Sequence, residues 1–189
     1  MQFDDDYFGT EFEDKAQEES GEVQLVSFLL GEEEFGADIL MVQEIIRILP
    51  ITRVPNAPHF VEGVINLRGK VIPIVDLRKR LNLEAVENTR KTRIIVVDIE
   101  GKITGFIVDS VSQVLRIPKH TIEPPPSIVI ADIESEYITG VSKLKIFIEE
   151  VNAEGKPVKI EQDRLLIILD FSKILTKREK KALQGVEEA

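Results

Sequence analysis

The side chains that could do chemistry are few and scattered. Two histidines, His59 and His120, sit close to prolines in Pro58-His59 and Pro118-Lys119-His120. Neither has a second potential ligand at a metal-site spacing, so each reads as a solvated turn residue. The chain has no cysteine, which excludes disulfides and thiol chemistry. Asp76, Asp98, Asp109 and Asp170 each fall at the end of a strand-like run. Two of them could share general acid–base work if the fold brought them together. However, Asp76 and Asp170 occupy equivalent places in an internal repeat. That equivalence suits a structural capping role better than the unlike roles an acid and a base require. Glycine-rich phosphate loops, nucleophile elbows and zinc-binding helix spacings are absent. The sequence therefore predicts no catalytic residue, no metal, no cofactor and no enzyme activity.

Surface offers more. Gly36-Ala37-Asp38-Ile39-Leu40-Met41-Val42-Gln43-Glu44-Ile45 crowds apolar side chains into a short run. Read as one two-faced strand, it either exposes a partner-binding patch or is buried on both faces, inside a barrel and between barrels. Asn66-Leu67-Arg68-Gly69 reads as a strand end and turn. Arg68 there is either a solvated turn residue or a presented contact of the kind favoured at binding hot spots.

The elements that must position these residues are strands. Val23–Leu30, Phe35–Ile39, Val42–Ile48, Gly63–Leu67 and Val71–Val75 read as β runs, rich in Ile, Val and Leu. Leu77–Leu81 reads as a short helix capped by Asp76. The pattern then begins again. At an offset of 69, Leu25–Leu30 falls on Ile94–Ile99, Gly36 on Gly105 and Arg47-Ile48 on Arg116-Ile117. At 77, Gly63-Val64 falls on Gly140-Val141, and at 94, Ile72–Asp76 falls on Leu166–Asp170. Matched elements in matched order point to duplication of a five-stranded unit. Five short strands can close into a small barrel that removes its own edges; a single larger sandwich is the alternative. The step from 77 to 94 gives the second copy 17 extra residues, assigned to a β-ribbon at 143–162 around Asn152-Ala153-Glu154-Gly155. Phe171–Gln184 reads as one C-terminal helix ended by Gly185, with a capping-box pattern at Thr176 and Glu179. The expected organisation is an acidic disordered tail at 1–22, one domain at 23–175 whose two subdomains lie at about 23–90 and 91–170, and a C-terminal helix and tail at 171–189.

Charge narrows the partners. The net charge is −10, and residues 1–22 hold nine acids against one base. The other 167 residues carry 25 acids and 23 bases. A near-neutral body without a basic stripe argues against nucleic acid. No run reaches the roughly 18 apolar residues of a membrane span, and the first 22 residues lack a signal-peptide pattern. A cytoplasmic location is expected.

Several of these segments resemble the CheW family of chemotaxis adaptors. The run Gly36–Ile45 is similar to the family's opening motif, and Gly63-Val64-Ile65-Asn66-Leu67-Arg68-Gly69-Lys70-Val71-Ile72-Pro73-Ile74-Val75-Asp76-Leu77 to its most characteristic segment. Gly105–Val111 and Arg164–Asp170 also match, so the resemblance covers about residues 22–184 in order. It implies an all-β fold of two pseudo-repeated, interlocked five-stranded SH3-like barrels with short connecting helices. It implies a non-enzymatic adaptor that couples membrane chemoreceptors to the histidine kinase CheA. Its partners would be the kinase's regulatory domain and the receptor's cytoplasmic tip, with no membrane insertion of its own and a monomer in isolation. The alternative is a similar adaptor in another chemosensory-type kinase pathway. Carried over by resemblance, the protein contacts are Leu40, Val42, Glu44, Gly63, Asn66, Leu67, Arg68 and Gly69, with Leu40 on the kinase face. Gly63 is expected where a side chain would narrow the receptor groove.

Overall fold

The structure, a computed structural model, describes residues 21–126 and 135–187. The expected acidic tail therefore lies outside the described residues except at its end, where Glu22 already belongs to a strand. Ten strands make two five-stranded sheets. They are β1 (Glu22–Leu30), β2 (Glu33–Asp38), β3 (Val42–Arg47), β4 (Val61–Leu67), β5 (Lys70–Asp76), β6 (Arg93–Ile99), β7 (Lys102–Val108), β8 (Ser110–Pro118), β9 (Ile138–Val151) and β10 (Pro157–Leu169). One sheet runs β3-β6-β7-β5-β4 and the other β8-β1-β2-β10-β9.

The strand register confirms the duplication. Ile74 pairs with Gly105 where the parallel strands β5 and β7 meet. Shifted by 94 and −69, that pair becomes Ile168 and Gly36, which face each other in the parallel pair β10–β2. The last step closes each sheet. Thr52, just past β3, exchanges backbone hydrogen bonds of 2.9 Å each way with Val64 on β4. Glu123, just past β8, does the same with Val141 on β9, at 2.8 and 2.9 Å. Each sheet thus bonds its two edges together and becomes a small barrel.

The expected subdomains exchange hairpins. Neither barrel is built from 23–90 or 91–170 alone. The β1–β2 hairpin of the first copy sits in the barrel of β8, β9 and β10, and the β6–β7 hairpin sits in that of β3, β4 and β5. The exchange explains the burial of the hairpin strands. Leu25-Val26-Ser27-Phe28 and Ile94-Ile95-Val96-Val97 are buried on both faces. One face fills a barrel and the other packs between barrels, so these strands are continuous apolar runs rather than alternating ones.

The run Gly36–Ile45 is not one strand. Asp38 Oδ1 accepts a hydrogen bond from Leu40 N at 2.9 Å. That cap starts a 3-10 turn, Ile39–Met41, which carries the chain out of β2 in one barrel into β3 in the other. The C-terminal helix is also divided. A one-turn helix, Phe171–Ile174, ends at Leu175, and an eleven-residue helix, Lys177–Glu187, starts afresh. The break has a local cause. Thr176 N donates to Glu179 Oε2 at 2.7 Å while Glu179 N donates to Thr176 Oγ1 at 3.2 Å, a reciprocal capping box. A residue that caps a helix cannot continue one, and the second helix runs on through Gly185.

Asp76 and Asp170 cap equivalent helix turns. Asp76 Oδ1 accepts from Arg78 N at 3.0 Å, and Asp170 Oδ1 from Ser172 N at 2.9 Å. Asp76 does more than its counterpart. It grips the Arg78 side chain through Nε and Nη2, both at 2.9 Å, with Asp76 2% and Arg78 3% exposed. Arg78 Nη1 reaches Asp109 Oδ1 at 3.0 Å, and Asp109 Oδ2 accepts from Gly31 N at 2.6 Å in the β1–β2 turn. Burial works against the Arg78 charge, but the hydrogen bonds and charges of Asp76 and Asp109 outweigh it and raise its pKa further. This chain of bonds ties the helix after β5 to the hairpin of the other barrel.

Candidate protein-binding site

The site begins with the β4–β5 hairpin. Leu67 pairs with Lys70, leaving Arg68 and Gly69 as a two-residue turn. Both have positive φ, 52° and 84°, the mark of a type I′ turn matched to strand twist. Asn66 Oδ1 accepts from Gly69 N at 2.9 Å and fixes the turn. Glycine suits this conformation; arginine at Arg68 costs about 1–2 kcal/mol of backbone strain. Strain held at an exposed turn draws attention to what the side chain does there.

Arg68 forks onto Glu44 of β3. Its Nη1 and Nη2 donate to Glu44 Oε1 and Oε2 at 2.7 and 2.8 Å, a bidentate pair. The hydrogen bonds from Arg68 hold the Glu44 carboxyl below its ordinary range, against a smaller opposing effect of burial. The same bonds raise the Arg68 pKa. β3 and β4 are the two edges of their sheet, so the pair spans the seam where the barrel closes. Glu44 is part-shielded beneath a largely exposed guanidinium.

The other expected residues divide by role. Leu40 stands on the 3-10 turn at 90% exposure, the most exposed large apolar side chain among the described residues. Val42 is half-buried against the large core, and Leu67 against the interior of the β3–β7 barrel. Asn66 is exposed, but its side chain is engaged in the turn. Gly63 has a reason other than an open groove. At φ +142° a Cβ there would lie 2.0 Å from the Thr52 carbonyl oxygen, at the bridge that closes the barrel. Its repeat equivalent, Gly140, would place a Cβ 3.0 Å from the Glu123 carbonyl oxygen at the matching closure. The same residue at both seams marks a closure requirement.

One further exposed apolar residue belongs to the hairpin and was missed from the sequence. Val71, 49% exposed, pairs with exposed Asn66 across it. Ile45, 39% exposed, lies on the face of β3 opposite Glu44, as strand alternation signals. Val71 carried no such signal, because β5 is buried on both faces from Ile72 onward. Among the described residues no three metal-ligating side chains are grouped, and no helix is long and apolar enough to cross a membrane.

Comparison with known proteins gives the family and the fold. The family model described as CheW-like domain matches residues 24–179. The chain is 34% identical to the chemotaxis protein CheW of Klebsiella aerogenes over 163 residues, covering 86% of this chain and 87% of the relative. It is 41% identical to the chemotaxis protein CheW of Rhizobium meliloti over 122 residues, covering 65% and 78%. The crystal structure of the scaffolding protein TtCheW from Thermoanaerobacter tengcongensis superposes with a TM-score of 0.68 at 34% identity, covering 83% of this chain and 90% of that one. The chain belongs to the CheW-like family.

Proposed function

We propose that this family member is a non-catalytic, cytoplasmic adaptor that couples membrane chemoreceptors to the histidine kinase CheA. The observation that carries the site is the Glu44–Arg68 pair, set across a barrel seam, with exposed Leu40 on the turn that leads into β3 and exposed Val71 on β5. The seam is closed by the Thr52–Val64 bridge, so a partner there meets side chains rather than a free backbone edge, and exposed apolar side chains suit a protein partner. Leu40 and Val42 lie toward the β2–β3 crossing and form the kinase-facing part. Asn66, Leu67, Arg68 and Gly69 present the turn, and Glu44 sets the position of Arg68. An interface of this kind can be small and reversible. Signal passes as a conformational bias between two bound partners, with no chemistry in the adaptor.

The test is co-purification of the full chain with the CheA regulatory domain and, separately, with a receptor cytoplasmic fragment. Leu40→Asp and Val42→Asp are expected to weaken the kinase complex, and Arg68→Ala at least one of the two complexes. Binding of neither partner by the unmutated chain would overturn the adaptor reading. Unchanged binding by all three variants would overturn the site assignment while leaving the adaptor reading intact.

A further inference from the structure

The helix Lys177–Glu187 carries its charges in the wrong places. Lys177 and Arg178 occupy its first turn, where the helix dipole favours acids. Lys181 lies four residues from Lys177, so like charges share one face. Lys177, Arg178 and Lys181 are exposed, as is Lys173 on the preceding turn. None of the four side chains has an ion-pair or hydrogen-bond partner among the described residues, whereas neighbouring Lys180 faces Glu100 at 3.7 Å. The segment Phe171–Lys181 holds five bases and one acid, whereas the rest of residues 23–189 holds 24 acids and 18 bases. Lys173, Lys177 and Lys180, with Arg80 and a single acid, Glu136, border a surface depression of about 600 Å³ whose floor includes Tyr137 and Leu175. Cations gathered against local helix preference, around a depression with an apolar floor, fit an acidic segment that also carries aromatic side chains.

The chain contains one. Residues 1–20 hold eight acids and one base, interleaved with Phe3, Tyr7, Phe8 and Phe12. Their attachment point lies close by. Val23 on β1 and Asp170, the cap of the helix turn that carries Lys173, line one cavity. Twenty residues extend to about 66–72 Å at most, so reach does not limit the encounter. We infer that the acidic N-terminal segment docks on this basic face of its own chain, with acids on Lys173, Lys177, Arg178 and Lys181 and an aromatic side chain in the depression that Lys173 and Lys177 border.

Because the chain has no cysteine, a single Thr10→Cys substitution gives one site for a nitroxide label on the otherwise intact protein. The readout is paramagnetic broadening of backbone amide signals in the folded body. At low salt the amides of Lys173 to Lys181 are expected to lose most of their intensity. That loss should disappear near 1 M salt, where the screening length falls from about 30 Å at 0.01 M to about 3 Å. It should also disappear when Lys177→Glu, Arg178→Glu and Lys181→Glu are combined. These changes put acids in the first turn, which favours the helix, and leave the Thr176–Glu179 cap in place. Broadening centred on Arg47, Arg90 and Arg93, or spread evenly over the surface, would overturn the inference. So would broadening unchanged by salt or by charge reversal. Broadening seen only when labelled chains are mixed with unlabelled, isotope-enriched ones would also overturn it, since the acidic segment would then dock on a second copy.

Discussion

Asp76 and Asp170 offer a controlled experiment within one molecule. Both cap a helix turn at the same place in the repeat, but only Asp76 also holds a buried arginine. Substituting asparagine keeps the capping oxygen, because Asn and Asp are nearly equal N-caps. At position 170 the change should therefore cost no more than about 0.5 kcal/mol. At position 76 it removes a charge that is 2% exposed and turns an N–H group toward Arg78 Nη2, donor against donor. Removing one partner of a buried ion pair costs about 3–5 kcal/mol. Asp109, still 3.0 Å from Arg78 Nη1, keeps the loss toward the lower end.

The assay is urea unfolding followed by far-UV circular dichroism, since the chain has no tryptophan. The expected result is a large fall in midpoint for Asp76→Asn with an unchanged slope, and almost none for Asp170→Asn. In heat unfolding, about 3–5 kcal/mol corresponds to roughly 6–20 °C for a chain of this size. Adding Arg78→Met to Asp76→Asn should recover part of the loss, because the unpaired charge is gone as well. Equal losses at positions 76 and 170 would refute the account of Arg78 as a buried, charge-dependent tie.

Gly63→Ala should cost on the order of 3 kcal/mol from overpacking and backbone strain together. Gly69→Ala, with φ +84° and open space around it, should cost only about 1–2 kcal/mol of strain; the same urea midpoints compare them, and equal losses would contradict the closure role of Gly63. Thr176→Ala should cost about 1 kcal/mol and show first as faster amide exchange in Lys177–Glu187, with the strands unaffected. Glu44 has a depressed pKa in the folded chain, so its pairing with Arg68 stabilises fully above the unfolded glutamate pKa and is lost as pH falls through the folded value. An NMR titration of its carboxyl carbon should give a midpoint below the ordinary range that rises in Arg68→Ala, and an unchanged midpoint would remove the pair as the cause.

The duplication was legible because it is written in order and spacing. Offsets of 69, 77 and 94 reappear as equivalent strand pairs, down to Ile74–Gly105 and Ile168–Gly36. The hairpin exchange was not legible in the offsets, which are the same whichever barrel each hairpin joins; only the family resemblance implied interlocked barrels. The capping acids were readable from local chemistry, whereas the Arg78 tie was not. Arg78 sits in Leu77-Arg78-Lys79-Arg80, which reads as a solvated helix face, and its second acid lies 31 residues away. Among the site residues, Glu44 and Arg68 were both singled out, but their pairing spans 24 residues and depends on barrel closure. Leu40 could be exposed or buried on pattern alone. The 3-10 turn decides it, because the turn takes Leu40 out of the strand whose neighbours are covered.

The exchange also decides how the two barrels relate mechanically. The barrel interiors are modest clusters, one around Ile65, Ile72, Ile74 and Ile94, the other around Leu25, Ile117, Leu166 and Ile168. The largest apolar cluster belongs to neither interior. It gathers Phe28, Leu77, Val97, Phe106, Leu169 and Phe171 with further residues from both sheets. Its members come in repeat-equivalent pairs: Phe60 with Tyr137, Val61 with Ile138, Leu77 with Phe171, and Leu81 with Leu175. A shared core of that kind, crossed by hairpins of opposite origin and tied by Arg78 to Asp109, gives neither barrel a complete core by itself. The two barrels therefore move together rather than as hinged domains, since loosening one exposes apolar surface of the other. Under the proposed adaptor function, that rigidity would be the means of coupling: partners seated at two places on the fold would press on a single packed body, and a shift at one contact would be carried to the other.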